Sequence, residues 1–139
     1  MDRFYLDTST LIKRARSEPE SQALRSWLNG IATSQSRLFT STLTVVEVER
    51  GLRSLAARGS QDISRIVSAV PMALTGLSQL PLTDQVLQMA RWIGPDNLRS
   101  PDAIHLASAV LNGATVMVTY DKRLTEAAKS VGLSTLAPA

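Results

Sequence analysis

The sequence contains no cysteine and only one histidine among its 139 residues. Disulfides are therefore excluded, and so is any metal site built from thiolates. The lack of cysteine fits a reducing compartment, and we expect a cytoplasmic protein. No apolar run approaches the roughly 20 residues of a membrane helix, and the N-terminal stretch MDRFYLDTST lacks the apolar core of a signal peptide. We therefore expect a soluble protein without a membrane partner.

Aromatic residues make up only 4% of the chain, and lysine is scarce beside arginine, with three lysines and twelve arginines at a net charge of +3. The low aromatic content argues against an RNA-binding sheet that works by stacking bases. Arginine, in contrast, offers a planar pair of donors that suits phosphate. The composition favours a polyanionic partner such as nucleic acid, although basic domains without such a partner are common.

Short apolar segments with strand character alternate with segments of helical period along the chain. With 44% hydrophobic residues, the chain can bury a sizeable core. Alternating strands and helices predict an α/β fold with a parallel sheet, and we expect residues 1–139 to form a single domain. Strands are predicted over residues 3–6, 37–40, 77–82 and 114–118.

Three predictions concern how individual helical segments pack. An amphipathic helix is predicted over residues 61–70, with Ile63, Ile66, Val67 and Val70 facing inward. A second helix is predicted to start after Thr83, and its apolar residues Val86, Leu87, Ala90 and Ile93 recur at helical spacing. The two tryptophans are expected in the core or at an interface: Trp27 and Trp92.

Four acids occupy equivalent positions relative to the predicted strands and helices. Asp7 and Asp121 follow strands, Asp102 opens a helix, and Glu47 lies in the first turns of another. Because the carboxyl ends of parallel strands share one edge of a sheet, these acids are expected on one rim. Clustered carboxylates repel each other unless a cation or shared protons offset the repulsion. Without cysteine, oxygen ligands favour Mg²⁺ or Mn²⁺, which can activate water and stabilise a phosphate during in-line displacement.

Each acid also has a simpler explanation when it is taken alone. Asp102 can be an ordinary acid at a helix start, and Asp7 and Asp121 can be turn residues. Glu47 can pair with Arg50 three residues later on the same helix. Only the coincidence of all four acids on one rim points to a functional site, and spacing alone leaves the two explanations evenly balanced.

Further polar residues near the acids are candidates for supporting roles. Thr8, Ser9 and Thr119 can hold metal-bound waters or the acidic side chains, and equally can serve as turn and cap hydroxyls. His105 can orient Asp102, or can be a structural histidine. The candidates for binding RNA phosphates flank the acids in sequence, although solvated surface charge is their ordinary role: Lys13, Arg14, Arg16, Lys122 and Arg123.

The motifs YLDTSTLIK, TLTVVEVERGL, SPDAIHLASA and VTYDKRL, in this order and spacing, resemble those of the PIN-domain ribonucleases. The resemblance covers nearly the whole chain and is greatest to the VapC toxins of bacterial type II toxin–antitoxin systems. It implies a three-layer α/β fold with a short central parallel sheet of four or five strands flanked by helices. It also implies that Asp7, Asp102 and Asp121 hold Mg²⁺ or Mn²⁺, directly or through water. Glu47 would complete the site or handle protons.

The same resemblance implies an activity and partners. The activity is Mg²⁺-dependent endonucleolytic hydrolysis of structured RNA, such as tRNA or ribosomal RNA. The partners are a second copy of the chain and a VapB-type antitoxin, which inserts a C-terminal segment near the acids, often with an arginine. The first helices, around Trp27 and Leu28, are candidates for the homodimer surface.

Three other functions have sequence features that can be compared. A non-catalytic PIN-like module that binds RNA or protein would not need all four acids. A phosphoacceptor receiver domain needs an acidic pair after its first strand and a central aspartate, yet Asp7 has no acidic neighbour and the next aspartate is Asp62. A haloacid-type phosphatase needs a second aspartate in its first motif, which DTST lacks.

Overall fold

The computed structural model describes residues 1–59 and 62–139, in which strands and helices alternate. The strands are β1 (Arg3–Leu6), β2 (Arg37–Ser41), β3 (Ser78–Leu80), β4 (Val116–Val118) and β5 (Ser134–Leu136). The helices are α1 (Thr8–Ala15), α2 (Ser21–Ile31), α3 (Thr42–Gly59), α4 (Ile63–Val67), α5 (Ala69–Ala73), α6 (Asp84–Ala90), α7 (Ser100–Leu111) and α8 (Lys122–Ser130).

The five strands form one parallel sheet in the order β3-β2-β1-β4-β5. β1 lies at the centre, with Phe4 opposite Leu38 of β2 and Val116 of β4. The chain adds strands first on one side of β1 and then on the other. In open parallel sheets, such a reversal leaves a crevice at the carboxyl ends of the strands. The predicted α/β class is confirmed, and the crevice is expected between the ends of β1 and β4.

Helices cover both faces of the sheet, because successive side chains of a strand point to opposite sides. On one face, Phe4, Leu6 and Val118 pack with residues of α1, α2 and α3. On the other face, Tyr5 and Met117 pack with residues of α7 and α8. The structure thus has two hydrophobic cores around one sheet, and the predicted three-layer architecture is confirmed.

Two strands are shorter than the sequence predicted, and one was not assigned. β3 covers 78–80 rather than 77–82, and β4 covers 116–118 rather than 114–118. β5 contributes only Ser134–Leu136 at the edge of the sheet and contains no apolar run. A three-residue segment is too short to show a strand pattern in the sequence. Its hydrogen-bonded pairing with β4 makes it a strand.

The helix predicted over residues 61–70 is two short helices. α4 ends at Val67 and α5 begins at Ala69, with Ser68 between them. Pro71 provides the physical reason, since proline has no N–H to donate to an earlier carbonyl and its ring clashes with the preceding turn. Ile66 packs on the core and Val70 is buried, as predicted. Residue 61 and the side chains of Ile63 and Val67 lie outside what the structure describes.

The structure narrows the expected positions of several apolar side chains. Trp92 is 81% exposed, which excludes the core and leaves an interface as its expected place, and Leu87 is 42% exposed although it keeps the helical spacing of its neighbours. α6 ends at Ala90, and the segment after it turns before Trp92 could reach the interior. Leu28 is buried in the chain's own core, so it is not available to a homodimer surface, and Trp27 packs edge-on against Phe4. Within the described ranges, no helix combines the length and apolarity needed to cross a membrane.

Candidate active site

The four predicted acids lie at the carboxyl edge of the sheet or on helices that start there. Asp7 is the N-cap of α1, directly after β1, and Asp121 is the N-cap of α8, after β4. Asp102 is in the first turn of α7, and Glu47 is on α3, which follows β2. α7 begins at Ser100, and Arg99 is its N-cap residue.

Asp7 is the most enclosed of the four acids, with only 3% of its surface exposed. Its Oδ1 lies 2.8 Å from the Ser9 hydroxyl, 3.1 Å from the Thr10 N–H and 3.0 Å from the Thr10 hydroxyl. Its Oδ2 lies 2.6 Å from the Thr119 hydroxyl. Burial raises the pKa of Asp7 above its ordinary value, and the bonds from Thr119 and Ser9 act against that shift. These donors hold the carboxylate in one orientation.

The hydroxyls of Ser9 and Thr119 connect the ends of β1 and β4. Ser9 Oγ accepts a hydrogen bond from the Tyr120 N–H at 3.0 Å, and Thr119 Oγ1 accepts one from the Asp121 N–H at 3.0 Å. Both hydroxyls also donate to Asp7. The backbone that carries Asp121 is therefore positioned by the same groups that hold Asp7.

Glu47 belongs to a hydrogen-bonded chain that includes buried residues. Glu47 Oε1 lies 2.7 Å from the Thr8 hydroxyl and 2.6 Å from His105 Nε2, and His105 Nδ1 lies 2.7 Å from the Tyr5 hydroxyl. Burial acts to raise the pKa of Glu47, but the bonds from His105 and Thr8 outweigh it and the pKa lies below its ordinary value. An ionised Glu47 requires a proton on Nε2, and the phenol then donates to Nδ1.

The hydrogen bonds of Glu47 and His105 correct two predictions from the sequence. His105 bonds to Glu47 rather than orienting Asp102, because its ring points across to α3 and β1. Glu47 takes Thr8 and His105 as its partners, whereas the sequence suggested Arg50 on its own helix. Contacts between α3 and α7 cannot be derived from helical spacing, since they depend on how both helices pack on the sheet.

Asp102 is half-buried, yet its carboxylate has no hydrogen-bond partner among the residues that the structure describes. Burial raises the pKa of Asp102, and the negative charges of Asp121, Asp7 and Glu47 raise it further, while His105 opposes them. Asp102 therefore lies in the electric fields of the other three acids. A half-buried carboxylate without a donor, surrounded by other carboxylates, is suited to a cation.

The donor set fits a hydrated divalent ion. In the described part of the chain, no three acid or histidine side chains already stand in an arrangement that encloses an ion directly. All four candidate donors are carboxylates, which suit Mg²⁺ or Mn²⁺, and these ions keep several of their waters. Asp102 has unused oxygens, and Asp121 uses only Oδ1, for the Leu124 N–H. The ion can thus be held through water without disturbing the bonds of Asp7.

The five basic residues predicted to bind RNA separate into two groups. Lys13 forms ion pairs with Glu18 and Glu20 at 3.2 and 2.7 Å, so its charge is already neutralised. Arg14 donates to the carbonyls of Ala73 and Thr75, and Arg16 lies 3.7 Å from Glu18. These three residues have structural roles. Lys122 and Arg123 are exposed at the start of α8 and line the acidic pocket that is defined next.

A pocket of about 240 Å³ contains part of this site; we call it the acidic pocket, lined by Arg99, Asp102, Asp121, Lys122 and Arg123. A larger cavity of about 530 Å³ lies away from the acids, between α1, α3, α4 and α5, and its lining includes Leu52, Leu55 and Ile66. Its walls are mainly apolar and hold none of the four acids. The chemistry is therefore assigned to the smaller pocket.

Three residues of the site were not found by sequence reasoning. Arg99 lines the acidic pocket, and its position directly before the SPDA motif was the available signal. Thr10 donates to Asp7 and to the Val118 carbonyl, which ties α1 to β4, and a hydroxyl three residues after an N-cap aspartate could have indicated it. Tyr5 reaches His105 from the middle of β1, and no local pattern reveals that contact.

Comparison with known proteins adds family information. The PIN domain family model matches residues 4–130. "Ribonuclease VapC47" of Mycobacterium tuberculosis (strain CDC 1551 / Oshkosh) is 41% identical over 136 residues, covering 96% of both chains. The crystal structure of Mycobacterium tuberculosis VapC20, described as a sarcin-ricin loop cleaving toxin, matches with a TM-score of 0.71 at 16% identity, over 97% of this chain and 99% of that one. VapBC2 from Rickettsia felis, bound to a DNA fragment from its promoter, matches with a TM-score of 0.68 at 15% identity, over 96% and 97%.

Proposed function

The chain belongs to the PIN-domain family, among the VapC-type ribonucleases, and we propose that it is a metal-dependent endoribonuclease toxin that cleaves structured RNA such as tRNA or ribosomal RNA. The observation that carries this proposal is the placement of four carboxylates at the carboxyl edge of the sheet or on the helices that start there. Mg²⁺ is the proposed cofactor, and Mn²⁺ is expected to replace it because both ions prefer oxygen ligands.

The roles of the acids follow from their surroundings. Asp102 and Asp121 are proposed to hold the ion through their unused oxygens, and Asp7 to hold it as a rigid, fully hydrogen-bonded anion. When bound, the metal supplies an activated water and neutralises charge on the phosphate. Glu47 has a lowered pKa and is ionised at neutral pH, so it can accept a proton from water at the rim. Arg99, Lys122 and Arg123 lie where they can bind the phosphate of the RNA.

The test compares purified protein, freed of any partner, on total cellular RNA in Mg²⁺ and in EDTA, with mapping of the new 5′ ends. We expect discrete ends that need Mg²⁺ and that decrease at least roughly 100-fold in Asp7→Asn, because the loss of a positioned charge weakens the metal site. Asp84→Asn is the matched control, since Asp84 is exposed at the start of α6. Intact RNA with every folded protein, together with measurable RNA binding, would instead support a non-catalytic RNA-binding module.

We propose two protein partners as well. A VapB-type antitoxin is inferred from membership of the VapC group and from the VapBC complex among the structural matches. A homodimer is also proposed. We now expect its surface to consist of exposed apolar side chains rather than Trp27 and Leu28. Val46 and Leu82 follow the neighbouring strands β2 and β3, and Trp92 follows α6. Light scattering on wild type and Trp92→Ser tests the dimer. The cytoplasm, where RNA and antitoxin occur together, is the proposed location.

A further inference from the structure

Next to the acidic pocket lies a second cavity of about 360 Å³, which we call the flanking pocket. It is lined by Pro95, Asn97, Leu98, Lys122, Arg123 and Glu126. Lys122 and Arg123 also line the acidic pocket, so the two cavities share a wall made of two cations. A molecule held at the acids can therefore extend past these two side chains into the flanking pocket.

The cations of the shared wall are unpaired in the part of the chain that the structure describes, unlike the other candidate cations. Among the described residues, neither Lys122 nor Arg123 nor the nearby Arg99 forms an ion pair within 4 Å, and all three are exposed. In contrast, Lys13 and Arg16 are paired with glutamates and Arg14 is bonded to carbonyls. Three unpaired cations beside the candidate site suit a phosphate group, which arginine binds with two parallel hydrogen bonds.

The loop before α7 contributes the apolar part of the flanking pocket's wall, from Pro95 and Leu98. Leu98 packs against the core that contains Tyr5 and Leu106, and its N–H donates to the Pro95 carbonyl at 3.0 Å. Gly94 has a φ of +77°, and a Cβ there would lie 3.0 Å from Leu98 Cδ2, so glycine allows the close approach. These contacts restrain Leu98 at the pocket wall, and restraint of this kind reduces the entropy lost when a ligand binds.

We propose that the flanking pocket binds one unpaired nucleobase of the RNA, next to the phosphate held at the acids. The proposal rests on the proposed ribonuclease function. Pro95 and Leu98 contact a face of the base, and the exposed Asn97 amide offers both a donor and an acceptor to its edge. Lys122 and Arg123 bind the intervening phosphate. A base can enter such a pocket only when it is unstacked, as in single-stranded loops and bulges.

The pocket therefore makes Asn97 a specificity-determining residue. Bidentate contact between an asparagine amide and a base edge distinguishes bases, whereas the contacts to phosphate are independent of sequence. Removal of the Asn97 side chain should reduce cleavage of the preferred substrate and leave cleavage of the others nearly unchanged. Removal of Arg123 should reduce cleavage of all substrates alike.

The experiment uses the full chain and four short stem-loop RNAs with a mapped cleavage site in the single-stranded loop, which differ only in the base beside that site. We expect wild type to prefer one base, and Asn97→Ala to reduce that preference by about tenfold, the effect of one lost hydrogen-bonding group. Asn29→Ala is the matched control, because Asn29 is exposed on α2 and lines a different cavity. An unchanged preference in Asn97→Ala overturns the proposal.

A binding measurement separates failure of the pocket from failure of the proposed function. The probe is an RNA with 2-aminopurine beside the mapped cleavage site, bound to Asp7→Asn, which is expected not to cleave it, with and without Asn97→Ala. Entry of the base into the pocket should change the fluorescence, and the change should decrease in the double variant. If wild type cleaves RNA but this fluorescence change is absent, the result supports the ribonuclease function and contradicts binding of a base in the flanking pocket. Binding with the fluorescence change but no cleavage supports the pocket and rejects the nuclease, and absence of both rejects both.

Discussion

The hydrogen-bonded chain from Tyr5 through His105 to Glu47 shows how a buried residue can influence a polar rim. Tyr5 is fully buried in β1, and burial raises the pKa of its phenol far above the ordinary value, so the hydroxyl keeps its proton. A protonated phenol donates to Nδ1 of His105 and keeps the other ring nitrogen as the donor to Glu47. The orientation of Glu47 thus depends on a side chain that no solvent or substrate reaches.

Tyr5→Phe tests this dependence, because it removes one hydroxyl and keeps the ring. The loss of the donor to a buried acceptor should reduce the free energy of unfolding by about 1–2 kcal/mol. It should also lower kcat several-fold with little change in KM, since Glu47 is less well held. Tyr120→Phe is the control, because the Tyr120 phenol donates to the Pro138 carbonyl at 2.7 Å, outside this chain of bonds. An equal loss of kcat in both variants would contradict the role of Tyr5.

At the level of whole elements, Gly94 lies in a crowded place and Gly30 in an open one. The comparison shows how a close contact at Gly94 positions the loop before α7. Gly94 has a positive φ and lies against Leu98, and this contact sets the path of the backbone toward Arg99 and the start of α7. Gly30, in contrast, lies inside α2, where a Cβ would meet no atom within 4 Å. The same substitution should therefore have opposite effects at the two positions.

Gly94→Ala is expected to lower the free energy of unfolding by more than about 1 kcal/mol, because alanine is strained at positive φ. Gly30→Ala is expected to raise it by about 0.5–1 kcal/mol through the better helix propensity of alanine. Urea denaturation of both variants beside wild type measures the two changes. Stabilisation by both substitutions would show that the loop can relax around Leu98.

Across the whole molecule, the acid cluster couples folding stability to pH. The folded-state pKa values of Asp7 and Asp102 lie above the ordinary 3.8, so the folded chain holds these protons more tightly than the unfolded chain. Their contribution is fully present below that value and is lost as the pH rises through the raised pKa values. Glu47 has the opposite sign, and its contribution is lost as the pH falls below the ordinary 4.5.

Asp102→Asn should therefore be more stable than wild type at neutral pH without metal, since it removes one carboxylate from the cluster and no hydrogen bond. Mg²⁺ should stabilise wild type by about 2.7 kcal/mol at a concentration 100-fold above its Kd, and stabilise the variant less. Thermal unfolding between pH 5 and 8, in Mg²⁺ and in EDTA, measures both effects. A variant that is less stable than wild type in EDTA would contradict the repulsion. One cooperative transition in these experiments would also support the prediction that residues 1–139 form a single domain.

The sequence by itself determined the α/β class with a parallel sheet and the positions of the four acids along the chain. These features follow from local patterns: alternating strands and helices, capping residues, and acids that come directly after strands. Asp7 and Asp121 are good examples, because each caps the helix that follows its strand.

Only the tertiary structure decided which of the residues near the acids meet. The bond between His105 and Glu47 joins residues 58 positions apart, and the one between Thr119 and Asp7 joins residues 112 positions apart. Packing on the sheet sets these distances, and no sequence period encodes it. The same holds for charge: Lys13 and Lys122 look alike in sequence, but Lys13 is neutralised by two glutamates and Lys122 is exposed beside the acids. Long-range contacts therefore determine which cations remain available to bind a phosphate.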